Sequence, residues 1–154
     1  MAGQQGDVTL LQDPVAQELL ASTDVARLAY TWRDGTPRVV PIWFHWTGRQ
    51  LTFGTPAGAP KVRALERDPH VAVTIDSAAS WPYHALLIRG DAVVERLDRV
   101  SEEYAAAARR YFGDEQGAAW VASIEDQPMA RISVAPAWVT VLDFETRFPS
   151  ALSA

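Results

Sequence analysis

The chain of 154 residues contains no cysteine. This absence excludes disulfide bonds, thiolate nucleophiles and zinc sites built on cysteine. Long apolar runs are also absent, since no stretch approaches the roughly 18 apolar residues of a membrane span. The N-terminus lacks the basic and apolar regions of a secretory signal. We therefore expect a cytoplasmic protein without a membrane partner, in which any redox chemistry depends on a bound cofactor.

Positive charge is scarce, because 14 basic residues stand against 19 acidic residues and the formal net charge is −5. Lys61 is the only lysine, and all other basic residues are arginine. Binding to a nucleic-acid backbone requires clustered cations, so the composition argues against a nucleic-acid partner. The alternative of a barrel that binds single strands through surface aromatic residues is disfavoured for the same reason.

Several catalytic and metal-binding motifs are missing. His45, His70 and His84 fall in three different predicted strands without ligand spacing, so we expect no metal site. No serine lies in a Gly-x-Ser-x-Gly turn, and no glycine-rich βαβ signature is present, which excludes the usual hydrolase and Rossmann patterns. No side chain is assigned as a catalytic acid, base or nucleophile.

The composition is that of one globular domain, with 48 % hydrophobic residues and six tryptophans. We expect a single domain over residues 1–154, with flexible ends at about 1–8 and 146–154. Runs of β-branched and aromatic residues predict strands at 25–32, 37–46, 51–55, 70–76 and 83–97, and two more within 130–144.

Short helices are predicted from the positions of capping residues and prolines. Asp13 and Pro14 begin the first helix, the second covers 61–67 before Asp68–Pro69, and Ser101 caps a third over 101–112. A further short helix is expected near 115–124. Six or seven mostly sequential antiparallel strands with short helices indicate a mainly β fold, a closed or partly closed β-barrel.

The loop and helix at 55–67 have the composition of an anion site. Gly58 allows close approach of the backbone, and the first turn of the helix offers free N–H groups. Thr55 adds a hydroxyl, Lys61 a charge, and Arg63 or Arg67 a second cation. The alternative is that Lys61 is an ordinary solvated helix residue, because loops that lead into a helix with one cation are common.

The order of these segments resembles the pyridoxamine phosphate oxidase-like split β-barrel family of flavin- and deazaflavin-dependent oxidoreductases. The resemblance covers about 25–95. One motif is matched by Asp34, Gly35, Pro37, Val39, Pro41 and Trp43, and the next by Phe53, Thr55, Lys61, Leu65, Asp68 and Pro69. It implies a six- to seven-stranded antiparallel split barrel of the FMN-binding type, paired as a homodimer with the cofactor at the subunit interface.

The resemblance also implies a cofactor, either FMN or the deazaflavin coenzyme F420. Lys61 and Thr55 would contact its phosphate, and residues 38–43 would line its ring, with only one of Trp43 and Phe44 facing it. The acidic tail of the deazaflavin would favour a basic strip along the helix, which Glu66 and Asp68 interrupt. The full set of cofactor-binding candidates is Arg38, Val39, Val40, Pro41, Ile42, Trp43, Thr55, Gly58, Lys61, Val62 and Arg63.

The implied activity is hydride transfer between this cofactor and a small organic substrate. His84 and Trp138 are the candidate substrate residues. The sequence lacks the second phosphate-binding lysine and the C-terminal arginine and histidine motif of the true pyridoxamine phosphate oxidases, which argues against vitamin salvage. The alternative function is a non-enzymatic protein of the same fold that binds or stores a flavin, a deazaflavin or haem.

Overall fold

The computed structural model describes residues 4–148. A 3₁₀ helix, Val8–Gln12, precedes four α-helices and eight β-strands. The helices are α1 Pro14–Ala21, α2 Pro60–Arg67, α3 Glu102–Phe112 and α4 Asp114–Ser123. The strands are β1 Ala26–Thr31, β2 Pro37–Ile42, β3 His45–Trp46, β4 Leu51–Pro56, β5 His70–Ser77, β6 His84–Leu97, β7 Met129–Val134 and β8 Trp138–Leu142.

The strands form an antiparallel sheet in the order β2-β1-β5-β6-β7-β4-β3, and β8 also pairs with β6. Since β2 and β3 do not pair, the sheet curls without closing, and the predicted split β-barrel is confirmed. Eight strands are found instead of six or seven because the predicted strand 37–46 is interrupted at Trp43 and Phe44.

The long strand β6 links the two halves of the barrel. It pairs with β5 from His84 to Asp91 and with β7 from Ala92 to Leu97. Gly90 lies at this change of partner, where a Cβ atom would approach the carbonyl oxygen of Ala135 to 2.5 Å. A glycine is therefore required for the close approach of the two backbones.

The core lies inside the curled sheet and is closed at one end by the N-terminal helices. Alternate residues of β1 and β5 point into it, including Leu28, Val73 and Ile75, each at most 1 % exposed. Leu19 of α1 joins them, as does Phe44, which is fully buried. Each such side chain contributes about 1.5–3 kcal/mol through burial, so this cluster provides much of the stability of the fold.

The described parts of the two chain ends pack against the barrel. The backbone N–H of Gly6 donates to Val139 at 2.8 Å. Arg147 forms ion pairs with Asp13 at 2.6 Å and with Asp143 at 3.0 Å. The remainder of the predicted flexible ends, 1–3 and 149–154, lies outside the described residues.

Helices α2 and α3 occupy the predicted places. Pro60 begins α2 and Asp68 ends it, and the Ser101 hydroxyl caps α3 by accepting from the backbone N–H of Tyr104 at 3.2 Å. Helix α3 packs on β3 and β4 and is followed directly by α4. In the stretch from residue 4 to residue 148, no helix has the length and apolar character needed to cross a membrane.

Candidate functional site

Two cavities lie at opposite ends of β2. The first, of about 440 Å³, opens between α2 and the turn that joins β1 to β2. Its lining consists of Trp32, Arg33, Gly58, Pro60, Arg63, Ala64 and Arg67. The second, of about 390 Å³, lies where β2 ends, and its lining consists of Val25, Pro41, Ile42, Trp43, Gly54 and Tyr104. The exposed strand β2 runs from one cavity to the other.

The first cavity is cationic. Arg33, Arg63 and Arg67 line it, and no acidic residue is among its lining residues. The guanidinium groups of Arg33 and Arg38 also lie over the Trp32 ring, at 5.9 and 5.7 Å from its centroid. Such contacts with an aromatic face stabilise arginine side chains near it. The cavity thus combines several positive charges with one aromatic wall.

Glu66 of α2 and Asp68, which directly follows this helix, are engaged with other partners. The Glu66 carboxylate accepts two hydrogen bonds from Arg96, at 2.8 and 3.0 Å. Asp68 lies 2.7 Å from the His70 ring nitrogen. The hydrogen bonds from Arg96 and His70 are the main cause of a lowered pKa for Glu66 and for Asp68, respectively. Arg63 also acts on Glu66 through its charge, but neither Arg63 nor Arg67 forms an ion pair among residues 4–148, and both line the cavity.

Lys61 is the second residue of α2 and is half-buried. Burial lowers the pKa of its ammonium group. Within residues 4–148 the ammonium group has no ion pair and no hydrogen bond. A partly desolvated cation without a counter-ion is stabilised by any anion that binds beside it.

Part of the backbone at the start of α2 is not available to an anion. The N–H groups of Ala59 and Val62 donate to Pro56 and Ala59, and Pro60 has no N–H group. Thr55 and Val62 are buried, at 4 % and 0 % exposed. The charged groups of this site are side chains on α2 and on the facing turn.

Strand β2 presents an open edge and an exposed face. It pairs with β1 alone, so its second edge has no strand partner among the described residues. Val40 and Ile42 pack against the core, whereas Val39 on the opposite face is 63 % exposed. Backbone N–H and C=O groups along an open edge are available to a ligand with a polar rim.

Trp43, and not Phe44, is available to a ligand. Phe44 is fully buried, while Trp43 is partly exposed and lines the second cavity. The indole stacks on Tyr111, with ring centroids 5.0 Å apart, and meets the edge of Phe112 at 4.7 Å. These contacts hold the indole in one orientation.

The two candidate substrate residues lie elsewhere and line neither cavity. His84 begins β6, and its ring nitrogen is 3.5 Å from the Glu18 carboxylate. Trp138 begins β8, with the Arg89 guanidinium 3.9 Å from its ring centroid.

Residues that sequence reasoning missed come from distant segments. Trp32 and Arg33 belong to the first turn, and Gly54 and Tyr104 belong to β4 and α3. Trp32 and Arg33 could have been found from the sequence, because an aromatic residue next to an arginine beside a turn is a local pattern typical of a binding site. No local pattern in the sequence identifies Tyr104, because its position in the second cavity depends on how α3 packs. Among residues 4–148, no three metal-binding side chains come together.

Comparison with known proteins agrees with this architecture. A structure described as an F420 reductase is 27 % identical, with a TM-score of 0.62 over 79 % of this chain and 93 % of that chain. An FMN-binding protein of Nostoc punctiforme, related to pyridoxamine 5'-phosphate oxidase, is 18 % identical, with a TM-score of 0.55 over 79 % and 74 %. The haem storage protein of Vibrio cholerae is 18 % identical, with a TM-score of 0.56 over 85 % and 93 %.

The last two similarities concern the fold alone. No curated protein matches this sequence. The family model described as pyridoxamine 5'-phosphate oxidase matches residues 12–143, which include every strand and both cavities. The chain therefore belongs to the pyridoxamine 5'-phosphate oxidase family.

Proposed function

We propose that this protein is a cytoplasmic, homodimeric oxidoreductase that binds the deazaflavin coenzyme F420 and transfers hydride between it and a small organic substrate. The observation that carries the proposal is the arginine-lined cavity along α2, the helix that also carries Lys61, whose ammonium group makes no ion pair among residues 4–148. The likeness to a structure described as an F420 reductase supports it.

The number of cations favours the deazaflavin over FMN. A flavin mononucleotide carries one phosphate, for which Lys61 and Arg63 provide enough charge. Arg33 and Arg67 line the same cavity as Arg63 and add two further cations, while Lys61 lies on the same helix outside the lining of that cavity. A cofactor with an acidic tail beyond its phosphate accounts for all four, because each arginine can bind a carboxylate through paired hydrogen bonds.

The remaining parts of the site suit a planar ring. The open edge of β2 offers backbone groups for the polar rim of a ring, and Trp43 offers an apolar wall. The bound deazaflavin supplies the hydride chemistry, and the chain contributes orientation, charge and exclusion of water. No side chain needs to serve as acid or base for this role.

The proposed dimer brings a second copy against the exposed face of β2. Val39 on β2 and Ala72 on β5 are exposed on that face, and each is paired in register with Ala29 of β1. A sheet face with exposed apolar residues is a suitable surface for a second copy of the same chain. The cofactor would then lie between the two subunits.

Titration of the cofactor-free protein with F420 and separately with FMN tests the proposal, with tryptophan quenching as the signal. We expect Lys61→Ala to weaken F420 binding tenfold or more, about 1.4 kcal/mol. Arg67→Ala should weaken F420 binding and leave FMN binding unchanged. Arg99→Ala, an exposed arginine outside both cavities, is the matched control.

Three results would contradict the proposal. If neither cofactor binds, or if Lys61→Ala binds as tightly as the wild type, the anion site is wrong. If FMN binds more tightly than F420, the cofactor is FMN. Turnover separates an enzyme from the binding and storage alternative, because only an enzyme consumes reduced cofactor in the presence of an acceptor.

A further inference from the structure

We propose that helix α4 is a docking surface for a helix of another protein, one that carries an apolar stripe with basic residues at both ends. The α4 surface comprises residues 112–126. None of these residues lines either cavity, so the proposal goes beyond the proposed function and does not depend on it.

Helix α4 leaves most of its own surface uncovered. Gly117 is its one buried residue, and a Cβ atom there would come within 2.6 Å of the Cα atom of Arg109 on α3. The helix therefore rests on α3 along one narrow face, and Ala118, Ala119 and Ala122 are exposed. Small side chains on an exposed face let the axis of a second helix approach closely.

Two exposed aromatic rings accompany these alanines. Phe112 is 45 % exposed and Trp120 is 41 % exposed. Their ring centroids lie 6.4 Å apart in an edge-to-face arrangement, and the Trp120 indole N–H donates to the Tyr104 hydroxyl at 3.0 Å. Both rings are thus held in position without a partner. Aromatic side chains of this kind are enriched among the residues that dominate the binding energy of protein interfaces.

Both ends of α4 are negatively charged. Asp114 and Glu115 lie in its first turn, Glu125 and Asp126 follow its last turn, and residues 111–130 include no lysine or arginine. Carboxylates stabilise the N-terminus of a helix and destabilise its C-terminus, so the dipole of α4 does not account for Glu125 and Asp126. Within residues 4–148 neither of them forms an ion pair. Their charges are available to a basic partner.

These charges disfavour the other occupants of the surface. Two copies of α4 packed antiparallel would bring Asp114 and Glu115 of one copy against Glu125 and Asp126 of the other, and parallel packing would bring identical ends together. A nucleic acid or an anionic membrane would meet the same repulsion. Arg109 beside α4 offsets one of the four negative charges.

The length of α4 sets the spacing of the partner's basic residues. Its ten residues span about 15 Å at a rise of about 1.5 Å per residue. A matching helix therefore carries basic residues about ten positions apart, with apolar residues on one face between them. A helix fits better than an extended segment, because α4 offers no open strand edge with which an extended segment could pair.

Fluorescence anisotropy with a labelled synthetic helix tests the proposal on the full-length protein. The peptide has leucines on one face and two arginines at each end, ten positions apart, and the comparison peptide has glutamates in place of the arginines. We expect the arginine peptide to bind at least tenfold more tightly. The difference should shrink as salt rises from about 0.05 M to about 0.5 M, because salt screens exposed charges.

Variants of the α4 surface should weaken the arginine peptide. Trp120→Ala should weaken it tenfold or more, because it removes an aromatic anchor. Glu125→Gln combined with Asp126→Asn should weaken it about three- to tenfold at low salt. Circular dichroism shows that each variant is folded.

Two matched controls lie outside the surface. Trp81→Ala removes an indole that is 62 % exposed. Asp98→Asn combined with Glu145→Gln changes the net charge by the same amount at two exposed positions. Both controls should bind the arginine peptide as the wild type does.

Equal binding of the two peptides, or no binding of the arginine peptide, would overturn the proposal. So would a Trp120→Ala variant that binds it as tightly as the wild type. If Trp120→Ala dissociates the protein in sedimentation velocity, the occupant of α4 is a second copy and the proposal is wrong. Binding to vesicles of anionic phospholipid that is lost in Trp120→Ala would assign the surface to a membrane and contradict it as well.

Discussion

His45 is a histidine whose surroundings disfavour its charged form. Its Nδ1 atom is buried and has no hydrogen-bond partner among residues 4–148. Burial lowers the pKa of His45 below its usual 6.5, and the nearby Arg110 lowers it further, whereas Glu103 acts in the opposite direction. Protonation of His45 is therefore harder in the folded state than in the unfolded state.

This difference predicts a loss of stability in acid. The pKa of His45 is lower in the folded state than in the unfolded state. Its contribution to the free energy of unfolding is therefore constant at high pH and becomes unfavourable as the pH falls below about 6.5. We expect His45→Asn to lose less stability than the wild type between about pH 7.5 and pH 5.5. The difference should not exceed about 1.4 kcal/mol, because the interval extends about one pH unit below the ordinary pKa of histidine. Urea unfolding at the two pH values measures it.

His70 provides a control, because its effect on stability changes with pH in the opposite direction. Its hydrogen bond to Asp68 raises the pKa of His70, so its contribution is present in acid and is lost as pH rises. His70→Asn should therefore lose more stability than the wild type over the same interval. Equal pH dependence in His45→Asn and the wild type would show that His45 does not cause the loss.

Helix α3 is attached to the barrel through Arg110. Its guanidinium donates to the Ser22 carbonyl at 3.0 Å and to the Phe44 carbonyl, and it lies over the rings of Phe44 and Tyr111, each at 4.8 Å. One side chain thus joins the helix to the segments before β1 and between β2 and β3. The orientation of the neighbouring Trp43 depends on this junction.

We expect Arg110→Ala to lower the free energy of unfolding by about 2–3 kcal/mol, because hydrogen bonds that involve a charged group contribute about 1.5–3 kcal/mol. Arg110→Lys should recover little of it, since an ammonium group does not reproduce the planar fork and its stacking. Denaturant unfolding measures both variants.

The adjacent Arg109 is the matched control, because it is exposed and lies on the same helix turn. Arg109→Ala should change the free energy of unfolding by no more than about 0.5 kcal/mol. Equal losses in Arg109→Ala and Arg110→Ala would indicate an effect on helix α3 itself and contradict the role of Arg110 as an anchor.

At the scale of the whole molecule, the proposed dimer predicts that a charge introduced on the exposed face of β2 separates the two subunits. Val39→Asp would place a carboxylate at the centre of the contact, where burial without a partner costs several kcal/mol. We expect this variant to be monomeric in sedimentation velocity at concentrations where the wild type is a dimer.

Val93 on β6 is the control, with 67 % exposure against 63 % for Val39. Val93→Asp should leave the dimer intact. A wild-type protein that sediments as a monomer would contradict the dimer. Dissociation by Val93→Asp alone would place the contact on the part of the sheet where β6 pairs with β7.

The local elements and the family were predictable from the sequence. Proline and capping residues mark the ends of α1, α2 and α3, and the alternation of apolar residues marks the strands, because these signals act over a few neighbouring residues. Lys61, Gly58 and Arg63 were likewise identifiable as a group, since they lie within one loop and helix. Their contact with a cofactor remains a prediction.

Only the tertiary structure decided how distant segments meet. It placed Trp32 and Arg33 across from α2, turned Glu66 and Asp68 toward Arg96 and His70, and brought Tyr104 onto Gly54. It also put Phe44 in the core and left Trp43 partly exposed. The position of each of these side chains depends on strand register and helix packing. Register and packing are set by the burial of apolar side chains throughout the core. Local sequence therefore determined the elements, and the packing of the barrel determined the two cavities.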